Sequence, residues 1–225
     1  MSQRLIEDDP GPDAGRPAEA ESQVGVGPWP GVWPEDPRYD PELLQNGDRR
    51  NVLDEFRYWR VEAIVAELDT RRHPFHVAIE NWAHDLNIGS VVRTANAFNA
   101  AGVHIVGRRR WNRRGAMVTD RYLHVHHHED AAALTRWASG EGLSVIGIDN
   151  VPGSVPLETA TLPRNSLLVF GQEGPGLSEA TLAACSQVLS ITQFGSTRSI
   201  NAGAAAAIAM HAWVREHAIT GPAAR

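Results

Sequence analysis

The stretch Ser190–Trp213, SITQFGSTRSINAGAAAAIAMHAW, decides how the chain folds. It passes from a short β-type run, Leu189–Ile191, through a loop into a long alanine-rich segment, and alanine is the strongest helix former. Ser199 or Asn201 can cap the first N–H groups of that helix. Polar side chains, free backbone donors and the positive end of a helix dipole therefore lie directly after the loop that follows this strand.

Strand and helix patterns also alternate along the rest of the chain. The predicted strands are Phe75–Ile79, Val103–Val106, Leu143–Ile148, Leu167–Phe170 and Val188–Ile191. The predicted helices are Asn51–Leu68, Asn87–Gly102, Ala131–Ser139, Leu177–Ala184 and Ser199–His217. Apolar strands that alternate with helices along the chain predict an α/β fold with a mostly parallel sheet sandwiched by helices. Ligands of such sheets bind at the carboxyl ends of the strands.

Composition favours a soluble cytoplasmic protein. The chain has one cysteine, Cys185, and therefore no internal disulfide framework, and it shows no long apolar run or signal segment. The formal net charge of −6 comes from the amino-terminal part, because residues 1–50 carry 11 acidic and 5 basic side chains whereas residues 51–225 carry 16 of each. The acidity therefore does not argue against an anionic partner for the rest of the chain.

The amino-terminal part differs in composition from the remainder. Residues 1–23 are rich in Pro, Gly and acidic side chains and hold few large apolar ones, which predicts disorder. Val24–Pro41 contains several prolines with Trp29 and Trp33, so it is either an arm packed on its own domain or a segment that binds a partner.

Two further polar stretches follow predicted strands. Phe170–Leu177, FGQEGPGL, has the order G-x-x-G-x-G, which matches neither a dinucleotide fingerprint nor a P-loop and is either a structural turn or a ligand loop. Asn87–Ala97, NIGSVVRTANA, places Arg93 on an otherwise apolar helix that Asn87 would cap. Arg93 is either a surface residue with its stem on apolar neighbours or a functional cation.

Together the three stretches resemble the motifs of the SpoU (TrmH-like) branch of the SPOUT RNA methyltransferases. Motif one of that family, N-[IV]-G-[AS]-x-x-R-T-A-x-A-F, is matched by Asn87–Phe98. Motif two, G-x-E-x-x-G-[LI], is matched by Gly171–Leu177. Motif three is matched at Ile191, Gly195 and Ser199–Asn201, although Thr192-Gln193 replace its usual Pro-Met and Ala202-Gly203 its Val-Ser. The resemblance covers about His76–Ala218.

This resemblance implies a carboxy-terminal deep trefoil knot, S-adenosyl-L-methionine as cofactor and methylation of ribose 2′-hydroxyls. It implies catalytic roles for Asn87, Arg93, Glu173, Ser199 and Asn201. The implied cofactor contacts are Gly171, Glu173, Gly174, Gly176, Leu189, Ile191, Gly195, Ile200 and Asn201, together with the segment after Ile148. We therefore expect an acidic, partly disordered arm at 1–50, a helical extension at 51–73, a methyltransferase domain at 74–218 and a tail at 219–225.

An RNA substrate, tRNA or rRNA, requires a basic surface. Six arginines with one interleaved tryptophan supply a candidate: Arg108, Arg109, Arg110, Arg113, Arg114 and Arg121. The histidines of His124–His128 alternate on a predicted strand and are interpreted as structural or surface residues, with no metal expected. The resemblance also implies a homodimer. The alternatives are a methyltransferase acting on a base nitrogen and a knotted RNA-binding protein without catalysis.

Overall fold

The computed structural model describes residues 25–81, 87–172 and 174–219. The chain divides into two compact units, Met1–Trp59 and Arg60–Arg225. The disorder predicted for 1–23 and part of the tail predicted at 219–225 lie outside the described residues. No helix within the described part of the chain is both long and apolar enough to cross a membrane.

The first unit is organised by aromatic side chains. Trp29 packs edge-on against Tyr39 and Tyr58, with ring centroids 5.7 and 5.3 Å apart. A short helix, α1 (Pro41–Asn46), begins with proline and is capped by the Asp40 carboxylate, which accepts the N–H of Glu42. The buried Asp48 carboxylate accepts hydrogen bonds from Arg50 and from the N–H of Tyr58, which satisfies this charge away from water.

The helix predicted over Asn51–Leu68 is shorter than its periodicity suggests. The first half forms only a 3₁₀ turn, Asp54–Phe56, and the helix α2 covers Val61–Asp69. Tyr58 adopts a positive φ of 63°, which no right-handed helix can contain. Phe56 and Trp59 pack against each other at 5.5 Å, so their spacing reflects the aromatic cluster of the first unit rather than a helix face.

The second unit is built on a seven-stranded sheet in which every pairing among the described residues is parallel. The strands are β1 (His73–Asn81), β2 (Ala100–Gly107), β3 (Val125–His128), β4 (Ser144–Ile148), β5 (Val155–Pro156), β6 (Ser166–Phe170) and β7 (Gln187–Ser190). Their spatial order in the sheet is β3-β2-β1-β6-β4-β7-β5.

Helices cover both faces of this sheet. On one face α3 (Ile88–Ala97) and α6 (Ala202–His217) bury Val91, Met210 and Trp213 in a common core with the sheet. On the other face α4 (Ala131–Gly140) and α5 (Glu179–Ala184) pack through Leu134 and its neighbours. The predicted α/β class, with a parallel sheet between helices, is confirmed, whereas the trefoil knot stays a prediction from the resemblance.

The ends of some strands and helices differ from those that the local sequence pattern predicts. Glu80, one residue beyond the predicted strand Phe75–Ile79, lies inside β1 and is fully buried, as is Asn81. Glu80 accepts hydrogen bonds from the N–H and hydroxyl of Ser178 and from the hydroxyl of Thr181 at 2.6–2.8 Å. These donors from the start of α5 allow a carboxylate to occupy a buried strand position.

Candidate active site

A cavity of about 410 Å³ lies at the carboxyl ends of the adjacent strands β6, β4 and β7. The register aligns Ile79, Phe170, Ile148 and Leu189 in one row across the sheet. The loops that leave the sheet just beyond this row therefore start side by side. They supply the lining residues 148–151, 170–172, 174–176, 191, 193 and 199–202, together with Ala205 of α6.

The glycine loop after β6, residues 171–176, is closed by hydrogen bonds between its own main-chain groups. Gln172 and Gly176 exchange two N–H···O hydrogen bonds of 3.1 and 3.2 Å, and Gly171 lies against that bridge. A Cβ on Gly171 would lie 2.0 Å from the carbonyl carbon of Gly176, so only glycine fits there. Bare backbone consequently forms this side of the cavity, as close approach of a ligand to the main chain requires.

Asp149, the first residue after β4, joins two walls of the cavity. Its Oδ2 accepts the N–H of Leu177 at 2.8 Å, and its Oδ1 accepts the N–H of Asn150. Gly176, with a φ of +73°, passes so close that a Cβ there would lie 2.4 Å from Oδ2. The carboxylate thereby fixes the glycine loop against the neighbouring strand end.

The third wall contains the start of α6. Asn201 caps this helix, because its Oδ1 accepts the N–H groups of Gly203 and Ala204 at 3.0 and 3.2 Å. Its Nδ2 donates to Oδ1 of Asn87, at the start of α3, over 2.8 Å. The predicted cap of α6 by Asn201 is thus present, and the helix begins at Ala202 rather than Ser199. Asn87 makes no side-chain cap of α3 and bonds across to α6 instead.

The predicted site residues reach different places. Those that line the cavity are Gly171, Gly174, Gly176, Ile191, Ser199, Ile200 and Asn201. Asn87 reaches this group through its hydrogen bond to Asn201, whereas Leu189 is fully buried below it. Gly195 and Arg93 are not among the lining residues, and Arg93 is exposed on α3. Glu173 lies outside the described residues.

Four polar lining residues have no individual role predicted from the sequence: Asp149, Asn150, Gln172 and Gln193. The resemblance implied cofactor contacts only for the segment after Ile148 as a whole. Asp149 and Asn150 directly follow a buried strand, and polar residues at the carboxyl end of a parallel strand are a signal that could have identified them. Gln193 gave no such signal, since it lies within an exposed loop and differs from the residue usual in motif three.

The arginine-rich segment is exposed but firmly anchored. The amide of the buried Asn81 donates to the carbonyls of Arg108 and Arg110 at 2.6 and 2.8 Å. Farther along, Gly115 packs so closely on α3 that a Cβ on Gly89 would lie 2.7 Å from its Cα. The six candidate arginines are all exposed. They therefore form a cationic surface on a fixed backbone beside α3.

The histidines of β3 join a buried chain on the face covered by α4. Nε2 of His104 lies 3.1 Å from Nδ1 of His76, and its Nδ1 lies 2.9 Å from Nε2 of His128. Burial, followed by the neighbouring imidazoles, lowers the pKa of His104 to about 2, and burial lowers the pKa of His76 to about 4. Trp137 covers the chain, 4.1 Å from His104 between ring centroids.

These contacts are those of a packed core. The described residues contain no group of His, Cys, Asp or Glu arranged to hold a metal ion. His124 contacts Asp69 at 2.9 Å, and Nε2 of His127 lies 2.7 Å from the carbonyl oxygen of Gly107. His124 and His126 are exposed and His127 and His128 are half-buried, and the structural or surface role of this cluster stays a prediction.

Comparison with known proteins identifies the domain that carries this cavity. Residues 74–211 match the SpoU rRNA Methylase family. An uncharacterised tRNA/rRNA methyltransferase of Mycolicibacterium vanbaalenii is 30% identical over 186 residues, which are 77% of this chain and 58% of the relative. The chain spans about half the length of the curated relatives it matches.

Solved structures have the same fold. The TrmH/SpoU tRNA modifying enzyme of A. aeolicus is 17% identical, with a TM-score of 0.62 over 70% of this chain and 82% of its own. The SpoU methyltransferase AviRb of Streptomyces viridochromogenes, in complex with S-adenosylmethionine, is 25% identical with a TM-score of 0.57 over 64% and 58%. An RNA 2′-O ribose methyltransferase is 22% identical with a TM-score of 0.57 over 66% and 59%.

The expected cofactor is confirmed at the level of the family, of which S-adenosylmethionine complexes are known. The family match extends over more than half of the sequence and includes all three motifs around the cavity. This chain belongs to the SpoU rRNA Methylase family.

Proposed function

We propose that this protein transfers a methyl group from S-adenosyl-L-methionine to a ribose 2′-hydroxyl of tRNA or rRNA. The observation that carries the proposal is the cavity itself, where a wall of glycine backbone faces the polar start of α6. This cavity would thus accept the family's cofactor and also present polar groups to a sugar. With tRNA or rRNA as substrate, we expect the protein to act in the cytoplasm.

The residues of the cavity fit the cofactor. A volume of about 410 Å³ lies within the range of small-molecule sites. Ile148, Phe170 and Ile191 offer apolar surface to a base, while Gly171 and Gly176 present main chain rather than side chains to the cavity. When bound, S-adenosylmethionine supplies an electrophilic methyl group on a sulfonium. The protein's part is to hold a ribose oxygen in line with that methyl group, so that S-adenosylhomocysteine would leave as the new C–O bond forms and the hydroxyl proton would pass to solvent.

The polar residues at the start of α6 would position the ribose. The Asn87–Asn201 hydrogen bond fixes both amides, and Ser199 lies two residues before the helix cap. Glu173, the acidic residue of motif two, is expected to take part on the basis of the resemblance. Fixed dipoles of this kind stabilise developing charge on an oxygen at little reorganisation cost.

Arg93 is proposed to hold an RNA phosphate and orient the nucleophile rather than to accept its proton. A guanidinium is effectively never deprotonated in proteins, whereas it binds phosphate through two parallel hydrogen bonds. Arg93 is exposed on α3 and does not line the cavity of its own chain. A homodimer that joins exposed faces of α3 and α6 would allow Arg93 of one copy to serve the site of the other.

The exposed faces of these two helices suit such a dimer. On α6, Ala204, Ile208 and His211 are exposed at helical spacing, and Ile208 retains 43% of its surface. On α3, Ser90, Arg93 and Ala97 are exposed in the same way. Light scattering on the purified protein tests the dimer, and Ile208→Glu should shift it to a monomer and reduce methylation together.

The decisive experiment is methylation of total tRNA and rRNA with a labelled methyl donor, followed by nucleoside mass spectrometry. We expect 2′-O-methyl nucleosides, and methylated bases would favour the alternative of a base-nitrogen methyltransferase. Arg93→Lys should lose most activity, because the charge remains but the bidentate geometry does not. Arg136→Lys, an exposed arginine on α4, is the matched control and should remain active.

Catalysis must also be separated from RNA binding alone. Calorimetry with S-adenosylhomocysteine does so, since an RNA-binding relative without catalysis need not bind the product. In RNA titrations, Arg113→Ala combined with Arg114→Ala should weaken binding and lower the salt slope by about two. Arg136→Ala provides the control, and a salt slope unchanged by the double substitution would remove this surface from the proposal.

A further inference from the structure

Two residues in the loop after β7, Thr192 and Gln193, replace the Pro-Met usual in motif three. The N–H and hydroxyl of Thr192 donate to the two carboxylate oxygens of Glu158 at 3.0 and 2.9 Å. Hydrogen bonds, first from its own N–H and then from Thr192, hold the pKa of the Glu158 carboxyl below its ordinary value. The adjacent Leu157 N–H donates to the carbonyl of Ser190 at 2.8 Å. Thr192 thus fixes the loop to the segment that follows β5.

This fixation determines where Gln193 points. In an extended segment, alternate side chains face opposite sides. Thr192 faces Glu158, whereas Ile191 and Gln193 both line the cavity. The replacement of Pro-Met therefore gives the loop an anchor on one side and a polar group on the other.

The side-chain amide oxygen of Gln193 has no hydrogen-bond donor among the residues that the structure describes. Its Oε1 is buried and has no hydrogen-bond partner within 25–81, 87–172 and 174–219. A buried acceptor without a partner is costly, and a ligand that brings an N–H group would relieve that cost. The neighbouring apolar surface of Ile191 and Phe170 suits a flat ring rather than the charged end of a ligand.

We infer that the Gln193 side chain recognises the exocyclic 6-amino group of the adenine of the bound cofactor. This inference rests on the proposed function and adds a residue that determines cofactor specificity in this chain. An adenine ring against Ile191 presents its amino N–H at the ring edge, where an acceptor two residues farther along the loop can meet it. A purine without this amino group leaves Oε1 unpaired.

Calorimetry with two ligands tests the inference. The probes are S-adenosylhomocysteine and the analogue in which an unsubstituted purine replaces adenine. The parent protein should bind the first about tenfold more tightly than the second, since one buried hydrogen bond to an otherwise unpaired acceptor accounts for such a factor. In Gln193→Met, which restores the residue usual in the family, the ratio should fall by about that factor. Phe194→Ala, a neighbouring side chain that is 95% exposed, should leave the ratio unchanged.

The possible outcomes separate this inference from the proposed function. If the parent binds S-adenosylhomocysteine and Gln193→Met keeps the same ratio, the inference is wrong while the proposed function stands. A uniform loss of affinity for both ligands would also overturn it, because Gln193 would then contact another part of the ligand. Failure of the parent to bind either ligand would refute both. Should Gln193→Met not fold, Gln193→Glu keeps an acceptor of similar size and must retain the preference.

Discussion

Acid should destabilise this protein through the chain of imidazoles formed by His76, His104 and His128, in which His104 is fully buried and the other two are half-buried. In the folded state the pKa values of His76 and His104 are lowered to about 4 and about 2, mainly by burial. In the unfolded chain an imidazole has a pKa near 6.5. The unfolded state therefore binds more protons as the pH falls below about 6.5, and stability declines in that direction.

The magnitude follows from this difference in proton binding. Between about pH 8 and pH 5.5, each histidine that stays neutral in the folded state costs about 1–1.5 kcal/mol of unfolding free energy. His76 and His104 together should cost about 2–3 kcal/mol, with the smaller share from His76, which is partly exposed. His126 and His128 have lowered pKa values for the same first reason, burial, and act in the same direction. Glu141, which opposes the shift at His126, reduces that share.

Urea unfolding at the two pH values measures the effect. His104→Leu should be less stable at about pH 8, because it leaves His76 and His128 without their central partner, and its stability should change less with pH. Arg136→Gln, at an exposed position on α4 outside the proposed dimer face, is the control and should keep the dependence of the parent. Equal unfolding free energies at the two pH values would refute the reasoning.

Three further predictions concern the cavity and its surroundings. Gly171→Ala should weaken S-adenosylhomocysteine binding in calorimetry by at least about tenfold, since its Cβ would overlap Gly176, whereas Gly140→Ala has open space and should bind normally. Asn201→Ala should lower the unfolding free energy by about 2 kcal/mol and the melting temperature by about 4–8 °C. Asn201→Asp keeps the helix cap and should recover about half of the lost unfolding free energy. Equal melting temperatures for the two variants would contradict the assignment of Asn201 as the cap of α6. Burial raises the pKa of the Cys185 thiol to about 11, so alkylation near pH 8 should be roughly 100-fold slower than for a free thiol, and rapid labelling of the folded protein would contradict that burial.

Local periodicity was sufficient to predict most of the sheet and its helices. The apolar runs around Val77, Ile105 and Leu168 are buried strands because each faces helices on both sides, and such runs carry a strong signal. The residues around the cavity could be named because three motifs carry them together. Polar residues at strand ends were harder, as Glu80 shows, because its partners at Ser178 and Thr181 come about a hundred residues later.

The remaining errors also have physical causes that a local pattern does not contain. The helix expected from Asn51 was interrupted by a positive φ at Tyr58, and the aromatic packing that accompanies it was not visible in the spacing. The amide of Asn87 was assigned to its own helix, but it bonds to Asn201, 114 residues farther along. The catalytic role of Arg93 stays a prediction; that Arg93 is exposed on α3 and does not line the cavity of its own chain depends on how α3 packs on the sheet.

The long separation between Asn87 and Asn201 has a consequence for biosynthesis. Contacts this distant in sequence close late, because loop-closure entropy opposes them until the intervening strands are in place. During translation, the cavity lacks its third wall until Ser199–Ala205 have left the ribosome and the following helix has docked. A nascent chain is thus unable to bind its ligands in a complete cavity, and it becomes able to do so only in one late folding step.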